Sequence, residues 1–144
     1  MGRELDLPLR LERDRLALLP VMRAVAPDAC RTALLDGGPA LLERVLAQDL
    51  GPLWHYRLQA AGLLGSLPPE LADALRAARQ AAAAGYLAHR WALAQVDALF
   101  AAQDIAYVVI KGVHVRECVY PDPALRPASD MDILVAPQDR RRAA

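Results

Sequence analysis

The 144-residue sequence contains no asparagine, one lysine and one phenylalanine, and its serines and threonines together number three. Its two cysteines, Cys30 and Cys118, lie far apart, which argues against a disulfide framework or a metal knuckle and suits reduced thiols in a cytoplasmic protein. Charge of one sign is not in excess: Lys+Arg and Asp+Glu both total 17. That balance gives no electrostatic footprint for nucleic acid and no polybasic membrane segment. No apolar run reaches the roughly 18 residues that a membrane helix needs, so no membrane partner is expected. The charge spread through residues 1–15 is unlike a secretory signal, and Asp6 stands where a myristoylation motif after Gly2 needs Ser or Thr. The single lysine stands against 16 arginines, a bias toward Arg, Ala, Leu and Pro codons rather than a functional sign.

What is present is a globular composition, 55% hydrophobic and 24% charged, of a length suited to one domain or a small domain with an appendage. Ala and Leu dominate residues 16–102, whereas nine of the 13 Val and Ile residues fall between positions 105 and 135. Helices first and a small sheet last is the arrangement this predicts, an α+β fold. Leucines alternate with charge over residues 1–15, which suits an extended arm or an irregular lead-in. A short helix is expected over 16–25, a turn at Asp36-Gly37-Gly38-Pro39, and helices over 40–50 and 53–61 separated by Gly51-Pro52. Residues 62–69 read as a loop. From 70 to 102 apolar residues recur at steps of three and four, predicting one long helix with room for a bend at Gly85. Trp54-His55-Tyr56 reads as helix packing, and His89, on the apolar stripe, as a packed, hydrogen-bonded core histidine.

The last third carries the chemistry. Residues 105–110 form a nearly all-apolar run that suits a buried strand, followed by Lys111-Gly112, a short helix over 113–120, a Pro-bounded loop, and a second strand beginning at Ser129 and centred on 131–135. Asp130 and Asp132 are the sharpest feature. Period-two geometry would put both carboxylates on one strand face, roughly 7 Å apart. Such a pair does not help a strand to pack; it favours a hard cation, and Mg²⁺ takes oxygen ligands while keeping sites for water or phosphate. The plain alternative is a pair of solvated strand-end aspartates. A glycine after a strand, at a helix start, lets backbone approach a phosphate.

Lys111-Gly112, Tyr120-Pro121-Asp122-Pro123, Arg126-Pro127 and Ser129-Asp130-Met131-Asp132-Ile133-Leu134-Val135 together resemble the DNA polymerase β-like nucleotidyltransferase superfamily. More closely, they resemble a family of bacterial proteins known only as uncharacterised nucleotidyltransferases. The upstream LPPELADALRAA stretch is similar to that family's helical lead-in, so the resemblance spans roughly residues 40–144. It implies a small mixed sheet with helices on one face. Residues 1–102 would be the helical lead-in and 103–144 a partial nucleotidyltransferase core, strand–helix–strand. Asp130 and Asp132 would be the catalytic pair, holding two Mg²⁺ (or Mn²⁺) ions of a nucleoside triphosphate. Lys111 and the Gly112 backbone would lie near the triphosphate. Many superfamily members have Gly-Ser at this turn; here Val113 follows Gly112, so Lys111 or Arg126 would replace the serine contact. Ser129 would orient the first aspartate or cap the strand end.

The superfamily completes its site with a third carboxylate on a later strand, whereas this sequence stops twelve residues after Asp132. The expectation is a core truncated before that acid. Asp139 would meet the start of a following helix, and nothing in the spacing ties Glu117 or Asp122 to the pair. Two readings follow. One is transfer of a nucleoside monophosphate from a nucleoside triphosphate to an unknown acceptor; the other is a catalytically incomplete protein that binds nucleotide or a partner. A protein partner or a missing C-terminal segment that completes the fold would join the two.

Overall fold

The structure, a computed structural model, describes residues 7–22 and 24–144, and of residues 7–10 the backbone alone. Its helices are α1 Leu7–Ala17, α2 Pro27–Ala47, α3 Gly51–Ala60, α4 Pro69–Ala102 and α5 Lys111–Val119; its strands are β1 Tyr107–Ile110 and β2 Asp132–Val135. Short 3-10 turns lie at Leu19–Val21, Leu64–Ser66, Pro123–Leu125 and Pro137–Asp139. This is the α+β order expected, helices first and strands last. Two compact units divide the chain, one ending at Gln80 and one from Ala81 to Ala144.

The first unit is helix packed on helix. Leu34, Leu41, Val45, Trp54, Leu58 and Leu75 are fully buried in its core, and burying each such side chain contributes about 1.5–3 kcal/mol. Trp54 donates its indole N–H to the Ala17 carbonyl at 2.8 Å, so the ring is buried with its one polar atom satisfied. Several expectations are corrected here. From Leu7 onward the lead-in is helical, not extended. Leu, Arg and Glu are strong helix formers, and Pro8 sits in the first turn, where a missing N–H costs nothing. Asp14 then accepts from Arg44 and, at 2.8 Å, from Gln48 Nε2. Residues 16–25 do not form a helix: α1 stops at Ala17 and a 3-10 turn follows. Pro20 lacks an N–H and clashes with the preceding turn. Residues 1–6 and Arg23 lie outside the described residues.

Helix α2 starts at Pro27, far ahead of the expected 40, with Pro27 at the first turn and Asp28 complementing the helix N-terminus. The Asp36–Pro39 turn shrinks to one residue, Gly38, at φ 52° and ψ −145°, a conformation largely reserved for glycine. Gly51-Pro52 opens α3 instead of separating two helices, and α4 runs unbroken through Gly85. Asp49, Gly62 and Asp104 adopt left-handed φ values of 56°, 70° and 50° just past α2, α3 and α4. There they close the helices with bonds from Leu50 N to Val45 O, Leu63 N to Leu58 O and Ile105 N to Phe100 O, at 3.0, 2.8 and 2.9 Å.

In the second unit β1 and β2 pair antiparallel, with Tyr107 opposite Val135, Val108 opposite Leu134, Val109 opposite Ile133 and Ile110 opposite Asp132. The first strand is shorter than expected because Ile105 is buried in closing α4. Phe100 and Tyr107 meet edge to face at 5.4 Å, and the Tyr107 hydroxyl donates to Asp97 Oδ1 at 3.0 Å, fastening the end of α4 to β1. No helix among the described residues is long and apolar enough to cross a membrane.

Candidate functional site

The site grows from the junction of β1 and α5. The strand passes into the helix without a loop: Ile110 is extended, and Lys111 begins α5 two residues earlier than expected. Lys111 turns the chain with φ 57°. A non-glycine residue in that conformation costs about 1–2 kcal/mol. Register then brings β2 alongside. Asp132 faces Ile110 across the ladder, and Lys111 Nζ lies 3.1 Å from Asp132 Oδ1. The lysine side chain is 70% exposed and the aspartate 32%, so the ion pair sits at the surface. Alternation along the strands puts Asp132 on the same face as Val108 and Leu134, both exposed, so this face of the sheet is open.

The second contact comes from the loop. Arg126, just past the 3-10 turn Pro123–Leu125, donates Nη1–H to the Gly112 carbonyl at 2.9 Å. A Cβ at position 112 would lie 3.0 Å from that same nitrogen, so a larger residue there would push the guanidinium back by a few tenths of an ångström. Lys111, Gly112, Arg126 and Asp132 are therefore brought together. Ser129 and Asp130 are exposed and make no hydrogen bond or ion pair among the described residues. They lie in the bend before β2, which begins only at Asp132, so the period-two argument does not apply to Asp130.

The other three acids considered are engaged elsewhere. Glu117 lies 3.9 Å from Arg90, Asp122 accepts from the Ala124 N–H at 2.9 Å, and Asp139 accepts from Arg142 at 2.9 Å. Asp139 sits in a 3-10 turn rather than at the start of an α-helix. No group of three or more His, Cys, Asp or Glu side chains among the described residues is arranged to hold a metal ion. Asp130 and Asp132 offer hard oxygen donors of the type that suits Mg²⁺ or Mn²⁺, with water and phosphate oxygens left to fill the remaining positions.

Sequence reasoning missed Arg116. It is 1% exposed on the buried face of α5, three residues after buried Val113, and that spacing was its only sign. Its Nη1–H donates to His89 Nδ1 at 3.2 Å, and its guanidinium carbon lies 5.0 Å from the centre of the Tyr86 ring. Burial pushes its pKa down, partly countered by Glu117. His89 thus makes the hydrogen bond its place on the stripe implied, but it is half-buried rather than a core residue. Burial and the hydrogen bond to Asp97 raise the Tyr107 phenol.

Comparison with curated proteins gives no match, and comparison with solved structures gives none. A protein family described as "Uncharacterised nucleotidyltransferase" matches residues 39–144, which takes in α3, α4, the whole β1–α5–β2 unit and all six candidate residues. The chain belongs to this nucleotidyltransferase family.

Proposed function

We propose that this chain binds a nucleoside triphosphate with Mg²⁺ or Mn²⁺ at Asp130, Asp132, Lys111, Gly112 and Arg126, and serves nucleotidyl transfer to an acceptor hydroxyl. The observation that carries the reading is the meeting of Lys111 with Asp132 and of Arg126 with Gly112 at one strand–helix junction, inside the family match. Lys111 and Arg126 supply charge for phosphate oxygens, and the carboxylates supply ligands for the cation that accompanies them. Bound divalent ions would neutralise the triphosphate and orient its oxygens. In the transfer an acceptor oxygen forms a bond to the α-phosphorus, the bond from that phosphorus to the bridging oxygen breaks, and pyrophosphate leaves. The acceptor proton goes to a carboxylate of this chain or of a partner; Glu117, Asp122 and Asp139 each already contact another group, at Arg90, the Ala124 N–H and Arg142.

The same engagement of those three acids favours a second reading, a nucleotide-binding protein that does not turn over. One assay separates the two: pyrophosphate release and acceptor labelling from an α-labelled nucleoside triphosphate with Mg²⁺. Release by the chain, lost in Asp132→Asn, supports transfer. Nucleotide binding without release under those conditions supports the second reading. General-base help is worth about 10²–10⁴-fold, so transfer without a carboxylate in reach of the acceptor proton is expected at a small fraction of the assisted rate.

A further inference from the structure

Lys111 is unusual in two independent ways. It is the one described non-glycine residue with positive φ that does not close the end of a helix; Asp49 and Asp104, which do, follow α2 and α4. Its ammonium also sits 3.1 Å from Asp132 Oδ1, on a carboxylate that the proposed function gives to a metal ion.

We propose that Lys111 is a built-in counter-cation for Asp132, holding the position of a divalent ion until a triphosphate draws the ammonium away. This rests on the metal reading of Asp132. Metal and triphosphate then bind as a unit, and metal alone binds weakly. A lysine suits the task where an arginine does not. The ammonium is a point charge on a flexible stem that can leave one oxygen for another, whereas a guanidinium fork would hold the carboxylate through two parallel bonds. Ion pairs this exposed are weak, so the contact is a brake that a triphosphate can release. The left-handed backbone is also explained. Strain of this kind persists where the surroundings demand a particular side-chain direction, and here it sets Lys111 beside the residue opposite Ile110 in the ladder.

The test is Mn²⁺ binding to the 144-residue chain, by electron paramagnetic resonance, with and without a non-hydrolysable nucleoside triphosphate. Lys111→Gln should bind Mn²⁺ alone about tenfold more tightly, because a competing positive charge is removed. It should bind Mn²⁺ with the nucleotide about tenfold more weakly, because a phosphate contact is lost. Lys111→Gly, which suits the left-handed backbone, should tighten Mn²⁺ binding equally, with an unchanged circular dichroism spectrum to show that the fold is kept. If neither variant tightens Mn²⁺ binding while Asp132→Asn abolishes it, the metal site stands and the counter-cation role is overturned. If Asp132→Asn leaves Mn²⁺ binding unchanged, the metal reading fails and the counter-cation role falls with it.

Discussion

Arg116 places a guanidinium where a hydrocarbon would pack. It is 1% exposed, and its Nε and Nη2 find no acceptor among the described residues. One bond to His89 and the face of Tyr86 are partial compensation, with Arg90 and Arg126 adding like charge. Replacing a buried charge by an apolar side chain of similar volume is often neutral or stabilising by about 1–4 kcal/mol. Arg116→Met is therefore expected to raise the urea midpoint, by about 1 kcal/mol in unfolding free energy. A loss of similar size would mean that the guanidinium has acceptors it needs. At this scale the sequence was informative where chemistry follows from a residue's type and poor where it follows from a partner. Lys111, Gly112, Arg126 and Asp132 stood out through the motif they share, and the structure joins them in pairs. Arg116 could not stand out, because helix α5 is short and one buried polar position in nine residues does not disturb its pattern.

Among the elements, long periodic stretches were legible and short connections were not. Helix α4 carries an apolar stripe through 34 residues, and no competing pattern exists over that length. The β1–β2 pair was legible through β-branched residues, although Ile105 went to closing a helix and Ser129 to Met131 stayed outside the ladder. Gly-Pro and Gly-Gly-Pro misled because proline suits both a turn and the first turn of a helix. Gly51 shows what decided the matter there. It is buried at the start of α3, and a Cβ would lie 2.7 Å from Ala78 Cβ and 2.9 Å from Leu46 Cδ2. Close helix contact within the first unit needs a residue without a side chain at this point. Gly51→Ala should cost about 1–3 kcal/mol through overpacking, read as a lower thermal midpoint, despite alanine's better helix propensity. An unchanged or higher midpoint would show that α3 and its neighbours can move apart at no cost.

For the whole molecule, charge is the governing quantity. The chain is neutral overall, with 17 basic and 17 acidic residues. The candidate site repeats that balance, Lys111 and Arg126 against Asp130 and Asp132. A neutral site has little attraction for a bare triphosphate, which carries several negative charges, so the proposed nucleotide binding would require a divalent ion held by the carboxylates. All six candidate residues lie in the unit from Ala81 to Ala144, and the family match reaches back to residue 39, across helices that contribute none of them. The most direct measurement is calorimetric titration of a non-hydrolysable nucleoside triphosphate, with Mg²⁺, into the wild-type chain and Asp132→Asn. Saturable binding by the wild type, weakened at least about tenfold in the variant and lost in the wild type without Mg²⁺, is what a metal-dependent nucleotide site requires. Equal affinity in the two proteins, or binding indifferent to Mg²⁺, would contradict it.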